Sequence, residues 1–252
     1  MPDIIFCEFQ KLKRKKFIRF TIAAAFLFPI PLTVFMAKDG ESFGMLFRSV
    51  ILFGDLLFLP CVLGIIASML FFMERDNDTL KNLMVIPVSK SKVLAAKLCV
   101  LMVLSVLYSV GGLGATIIGG LFTGSVEGIF SRLLVSVGLG IFVLLATLPV
   151  IALIIAGNKS YIFSILVSFA YAVIGFGVSW AFGPENETLV MLSDLLPVPV
   201  IFRWYLGVLP VEDALSFMMP YTISTPVTIF ILAVIGGIFT FIAAFFYKRS
   251  EV

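Results

Sequence analysis

The stretch LLVSVGLGIFVLLATLPVIALIIA, residues 133–156, contains no charged side chain. As a helix rising about 1.5 Å per residue it can cross the roughly 30 Å hydrocarbon core of a bilayer. A helix can live there because it satisfies its own backbone hydrogen bonds and leaves its side chains facing lipid. Five further stretches reach the same length, at residues 17–37, 49–73, 98–122, 161–182 and 227–247. Composition agrees: the 252-residue chain is 61% hydrophobic and 13% charged, against roughly 45–50% apolar and 25% charged in soluble domains. The expected fold is an all-α integral membrane protein, a single unit over residues 1–252 with six transmembrane helices between residues 17 and 247.

Lysine and arginine concentrate on the cytoplasmic side of membrane proteins. With six spans, one side carries Lys11, Lys13, Arg14, Lys15, Lys16, Arg19, Arg75, Lys81, Lys90, Lys92, Lys97, Lys159, Lys248 and Arg249, which is 14 of the 18 basic residues. The other side carries Lys38, Arg48, Arg132 and Arg203. Both termini, including the tail 248–252, are therefore expected in the cytoplasm of a multi-pass plasma-membrane protein. A basic run ahead of an apolar stretch also begins signal peptides, but here the stretch is too long and VFMAKDG offers no A-x-A cleavage pattern, so the first span reads as a retained anchor.

Several function classes are excluded. Histidine is absent, and Cys7, Cys61 and Cys99 lack metal-ligand spacing, so no metal, cofactor or disulfide is expected. Intramembrane serine or glutamate proteases would need a histidine. No G-x-x-x-x-G-K-[ST] loop is present, so the chain does not hold ATP in the P-loop manner. The net charge of +3 follows from topology and implies no nucleic acid.

The most informative loop is ERDNDTLKNLMVIPVSKSKVLAAKL, residues 74–98. Asp76 or Asp78 can cap a helix start, Leu80, Leu83 and Met84 fall on one helical face, and Pro87 ends the helix. Ser89 or Ser91 can cap the helix that enters the membrane as span 3. By periodicity alone this short amphipathic helix fits either the membrane surface or a partner's groove.

The run of Glu74, Thr79, Leu80, Leu83, Pro87, Ser89 and Lys97 resembles the type-2 permease subunits of ATP-binding-cassette (ABC) exporters. The six-span layout extends the resemblance. It implies that residues 74–97 form a coupling loop, in which Glu74, Asp78, Thr79, Leu80, Leu83, Met84 and Pro87 meet a separate ATPase subunit. It further implies two ATPase copies and a second permease chain, identical or homologous, with no enzymatic activity on this chain itself. Size and the wide outer loop are most similar to lantibiotic-immunity, bacitracin-resistance and amphipathic-peptide export permeases, which implies a hydrophobic or amphipathic peptide substrate.

Residues 1–16 place Ile5, Phe9 and Leu12 on one face with basic residues beyond them, a helix suited to the interface and to anionic lipid. The resembled family has an elbow helix here. Gly111, Ala115 and Gly119 form a small-residue ladder in span 3, expected to seat another helix. Pro29, Pro31, Pro60 and Pro149 are expected to bend their spans. Asp55 is the single acid inside a span and so a candidate for the substrate path, although a structural pairing, with Arg48 or with external water, is the competing reading. The external loop 183–226 holds Asp194, Pro197, Pro199 and Arg203, which break every candidate span. Short interfacial or re-entrant helices are expected there, with Trp204 and Tyr205 at headgroup depth. Its five acids against Arg203 suit a cationic substrate or simply an external position. The rival function is an ATP-independent secondary transporter or channel, which would place ionisable groups near the midplane, where only Asp55 is available.

Overall fold

The hydroxyl of Ser42 accepts the Met45 amide at 3.2 Å, satisfying one of the amides that a helix start leaves without a partner. This cap starts span 2 at Phe43 rather than at residue 49, and the helix continues to Asp76. The structure, a computed structural model, describes residues 2–13, 15–39, 42–76, 89–123, 126–157, 160–182, 186–209 and 218–249. It is all-helical, with no strand among the described residues. Six helical stretches are long and apolar enough to cross a membrane: Ile18–Met36, Phe43–Phe72, Lys90–Phe122, Ile129–Gly157, Tyr161–Ala181 and Thr225–Arg249. They are spans 1 to 6. The N-terminal helix Pro2–Lys13 precedes them.

Span 1 runs as Lys16–Leu27 and Pro29–Asp39. The interruption at Phe28 follows from Pro29 and Pro31, which lack amide donors and crowd the turn before them. Phe28 keeps helical angles and donates to Ala24 O, so the chain crosses as one span. In span 4 Pro149 sits inside the helix, and the Tyr171 hydroxyl of span 5 donates to Ala146 O, three residues ahead of that proline. Pro60 lies inside the helix Leu59–Asp76.

The hydropathy windows of spans 2, 3 and 4 are 67%, 56% and 72% buried, against 22%, 28% and 17% for spans 1, 5 and 6. The core is thus built by the middle three. Span 4 is its axis, packed by spans 2, 3 and 6, while span 5 packs on span 2 and span 1 on span 3. Lipid tails are as apolar as leucine, so association of spans depends on close packing and polar bonds. Both are present. A Cβ on Gly140 of span 4 would stand 2.6 Å from Val106 Cα of span 3, and the Ser105 hydroxyl donates to Gly140 O at 2.6 Å. The ladder in span 3 seats span 1: Gly111 faces Phe26, and a Cβ on Gly119 would meet Thr33 Oγ1 at 2.3 Å.

Opposite the face that bears both termini, the helices Glu187–Leu195 and Pro197–Val208 meet at 97°, a bent pair as expected for loop 183–226. Trp204 and Tyr205 are 4% and 3% exposed, enclosed by protein. Trp204 stacks edge-on against Phe142 of span 4 and its indole N–H donates to Thr225 Oγ1 at 3.0 Å. Gly128, before span 4, takes φ of 63°, a left-handed conformation that favours glycine.

Candidate functional site

The loop after span 2 leaves a helix that runs to Asp76 and returns through one that begins at Lys90. The amides of Lys92 and Val93 donate to Ser89 O, so Ser89, of the two serines considered, holds the capping position. Asp76 is the last residue of the span 2 helix. Glu74 lies in that last turn, whereas Asp78, Thr79, Leu80, Leu83, Met84 and Pro87 lie outside the described residues.

Where the two helices emerge they are bonded together. Lys97 Nζ donates to Leu70 O of span 2 at 2.7 Å and to Glu8 Oε2 of the N-terminal helix at 3.3 Å, and it lies 5.3 Å from the centre of the Phe71 ring. Lys97 is fully buried and Glu8 nearly so, at 0% and 3% exposed. Lys11 also bonds Glu8, one helical turn on. The N-terminal helix therefore buries its Leu12 and packs Ile5 and Phe9 against the core, so its apolar stripe is covered by protein, while Phe6 on its other side is exposed.

A second polar position lies within the bundle. Span 2 is a π-helix over Val50–Phe58, closed by the Leu59 amide on Gly54 O five residues back, a winding that is rare and frequent at functional sites. Asp55 stands in it, 4% exposed, and its Oδ2 accepts the Ser109 hydroxyl of span 3 at 3.0 Å. The partner the structure gives Asp55 is Ser109 of span 3. With the helix starting at Phe43, Asp55 lies about 18 Å along it at about 1.5 Å per residue, deeper than a start at residue 49 implies. A narrow cleft lined by Thr21, Leu59, Leu63, Leu104 and Tyr108 opens one turn away, between spans 1, 2 and 3. Asp55 and Glu74 are about 28 Å apart along the same helix by that rise, so the site residues form two separate places.

The third cluster lies on the opposite face. Arg203 donates to Tyr221 O at 2.7 Å and Ser193 Oγ at 3.1 Å, pairs with Asp194, and lies 5.9 Å from the Phe182 ring. Counting Arg203 as one loop charge among five acids missed this pairing.

A sequence model of the family described as "ABC-2 family transporter protein" matches residues 4–175, well over half of the chain. The chain belongs to this family. As an ABC-2 transporter protein with six apolar helices it is a multi-pass membrane protein, and its family implies partnership with an ABC ATPase subunit. The match takes in the N-terminal helix, Asp55 and the 74–97 loop; the bent outer pair and span 6 follow it. Comparison with curated proteins returns no match. The Lys97 pairing of this ABC-2 protein escaped the sequence reading, which counted the lysine as a loop charge. A signal for its burial, though not for its partner, exists: Val93, Leu94, Val100 and Leu101, apolar at three- and four-residue distances from Lys97 and all buried, place it on the inward stripe.

Proposed function

We propose that this chain is the membrane subunit of an ABC exporter, with the face bearing both termini in the cytoplasm and the 74–97 loop seated on a separate ATPase. The observation that carries this reading is the Lys97 to Leu70 bond. It holds the exits of spans 2 and 3 side by side, so a push on the loop reaches two of the three core spans at once. The helices of spans 2 and 3 each run 34 residues, about 50 Å at 1.5 Å per residue. That exceeds the hydrocarbon thickness and suits helices that reach a cytoplasmic partner.

Under this reading Glu74, Asp78, Thr79, Leu80, Leu83, Met84 and Pro87 form the contact with the ATPase. Two ATPase copies and a second permease chain complete the assembly, and the exposed spans 1, 5 and 6 are available to that chain or to lipid. The substrate is a hydrophobic or amphipathic peptide, in keeping with apolar spans that carry few polar groups and with an acidic outer loop. Antibiotic resistance or immunity is the corresponding physiological role.

The test is purification of the tagged chain from its native host in mild detergent. The expected result is an associated ATPase, and transport of an amphipathic peptide into inverted vesicles only with hydrolysable ATP. Transport that proceeds without ATP and without any bound ATPase would instead establish the ion-coupled transporter, in which Asp55 would be the coupling group.

A further inference from the structure

We propose that Lys97 is the positioning residue through which the N-terminal helix and spans 2, 3 and 6 move as one body when the 74–97 loop is displaced. This rests on the coupling reading given above, and it assigns the transmission of that displacement to a residue outside the ATPase contact.

A lysine is an expensive choice at this position. Its side chain is completely enclosed, and burying an ammonium is unfavourable unless it is paired and hydrogen-bonded. A methionine or leucine on the inward stripe would pack without that penalty, so stability alone does not call for the charge. What the charge provides is directional attachment to two other elements. It reaches a carboxylate on the N-terminal helix and a backbone carbonyl on span 2.

Span 6 joins the same cluster by two further contacts. The Phe71 ring, under the Lys97 ammonium, meets the Tyr247 ring edge-on at 5.7 Å. Two turns earlier on span 3, Lys90 Nζ donates to Lys248 O at 3.1 Å. The Lys90–Lys97 segment begins one residue after the loop returns at Ser89, and it bonds three other elements before span 3 enters the apolar core. Force delivered to the loop therefore cannot swing the start of span 3 alone. With Lys97 uncharged, the same force would bend that segment away from the N-terminal helix.

The experiment uses the full chain in complex with its co-purified ATPase, in lipid nanodiscs, with Cys7, Cys61 and Cys99 replaced by alanine. Spin labels are placed on Gln10 of the N-terminal helix and Ser91 of span 3, both exposed. Their separation is measured by pulsed electron resonance, without nucleotide and with ATP plus vanadate. In the otherwise unmodified chain the separation should be narrow and the same in both states. In Lys97→Met and Glu8→Gln it should shift with nucleotide by more than the width of that distribution, with ATPase stoichiometry unchanged, and Lys97→Arg should restore part of the narrow distribution. Glu8→Gln keeps Lys97 on Leu70 O and covers the case in which Lys97→Met does not fold.

A nucleotide-dependent separation in the parent chain would overturn the proposal. So would variants as narrow and nucleotide-independent as the parent, or loss of the ATPase from both variants, which would make the cluster a docking surface. A parent chain that purifies with no ATPase is a different result, because it removes the exporter reading itself.

Discussion

Replacing Asp55 by asparagine separates a structural carboxylate from one that takes part in transport. Oδ2 of Asp55 accepts the Ser109 hydroxyl at 3.0 Å across spans 2 and 3, and an asparagine oxygen can accept the same bond. Side-chain hydrogen bonds between helices in bilayers contribute about 0.6 kcal/mol on average and at most about 1.7. Asp55→Asn keeps most of that and should cost under about 1 kcal/mol, less than about a fivefold change in the folding equilibrium. Asp55→Leu loses the acceptor and should cost about 1–2 kcal/mol. Neither loss unfolds a six-span bundle, so transport can be compared at equal insertion. The assay is ATP-dependent uptake of a fluorescent cationic amphipathic peptide into inverted vesicles, normalised to immunoblotted protein. An exporter driven by a partner ATPase needs no charge in its spans, so Asp55→Asn should retain most transport and Asp55→Leu somewhat less. Abolished transport in Asp55→Asn, with insertion and ATPase association intact, would refute the structural role and favour ion coupling.

The coupling face gives a second expectation: Leu83→Asp would place a carboxylate in a desolvated groove at a cost of several kcal/mol, lowering ATPase affinity by orders of magnitude. Co-purification should drop sharply while insertion is normal, and Lys81→Ala on the opposite face should matter less; wild-type stoichiometry and transport in Leu83→Asp would sink the assignment. Gly140→Ala should destabilise the bundle, because its Cβ would lie 2.6 Å from Val106 Cα where carbon contacts favour about 3.5–4.0 Å, and overpacking of this kind costs about 1–3 kcal/mol. Thermal unfolding in detergent should fall by about 2–4 °C per kcal/mol, whereas Gly237→Ala, with nothing within 4 Å, should leave it unchanged or higher. Reporter fusions at Asp39, Glu127 and Glu187 should read external and those at Asn82 and Lys159 cytoplasmic; a cytoplasmic signal at Glu187 is incompatible with the six-span orientation.

Hydropathy located spans 4, 5 and 6 closely: residues 133–156, 161–182 and 227–247 against Ile129–Gly157, Tyr161–Ala181 and Thr225–Arg249. These helices end near where their apolar residues end. Spans 2 and 3 do not, since each helix continues into a segment that is covered by protein and has no need of an unbroken apolar run. Lys90, Lys92 and Lys97 hid the first two turns of span 3 from an apolar count, although Val93, Leu94, Val100 and Leu101 carried the helical period through them. The π-helical winding over Val50–Phe58 has no sequence signature of comparable strength. The partners of Arg203, Lys97 and Asp55 were not legible either, because Ser193, Glu8 and Ser109 are brought to them only by folding.

Among the described residues, Arg48, Lys97 and Arg203 are buried cations, and Lys97 and Arg203, at opposite ends, each bond other elements. Between them the described contacts joining spans 3 and 4 and spans 2 and 5 are close-packed small residues: Gly140 against Val106, and Gly64, where a Cβ would stand 2.1 Å from Ser168 Oγ. Such contacts fix the distance between helices closely, and apart from the Ser105 bond to Gly140 O they carry little of the directional bonding that resists rotation. Hydrogen-bonded charges do resist it, because displacing one leaves a buried ion unpaired. Under the coupling proposed above, a displacement applied at the 74–97 loop is expected to move the helices joined at Lys97 together.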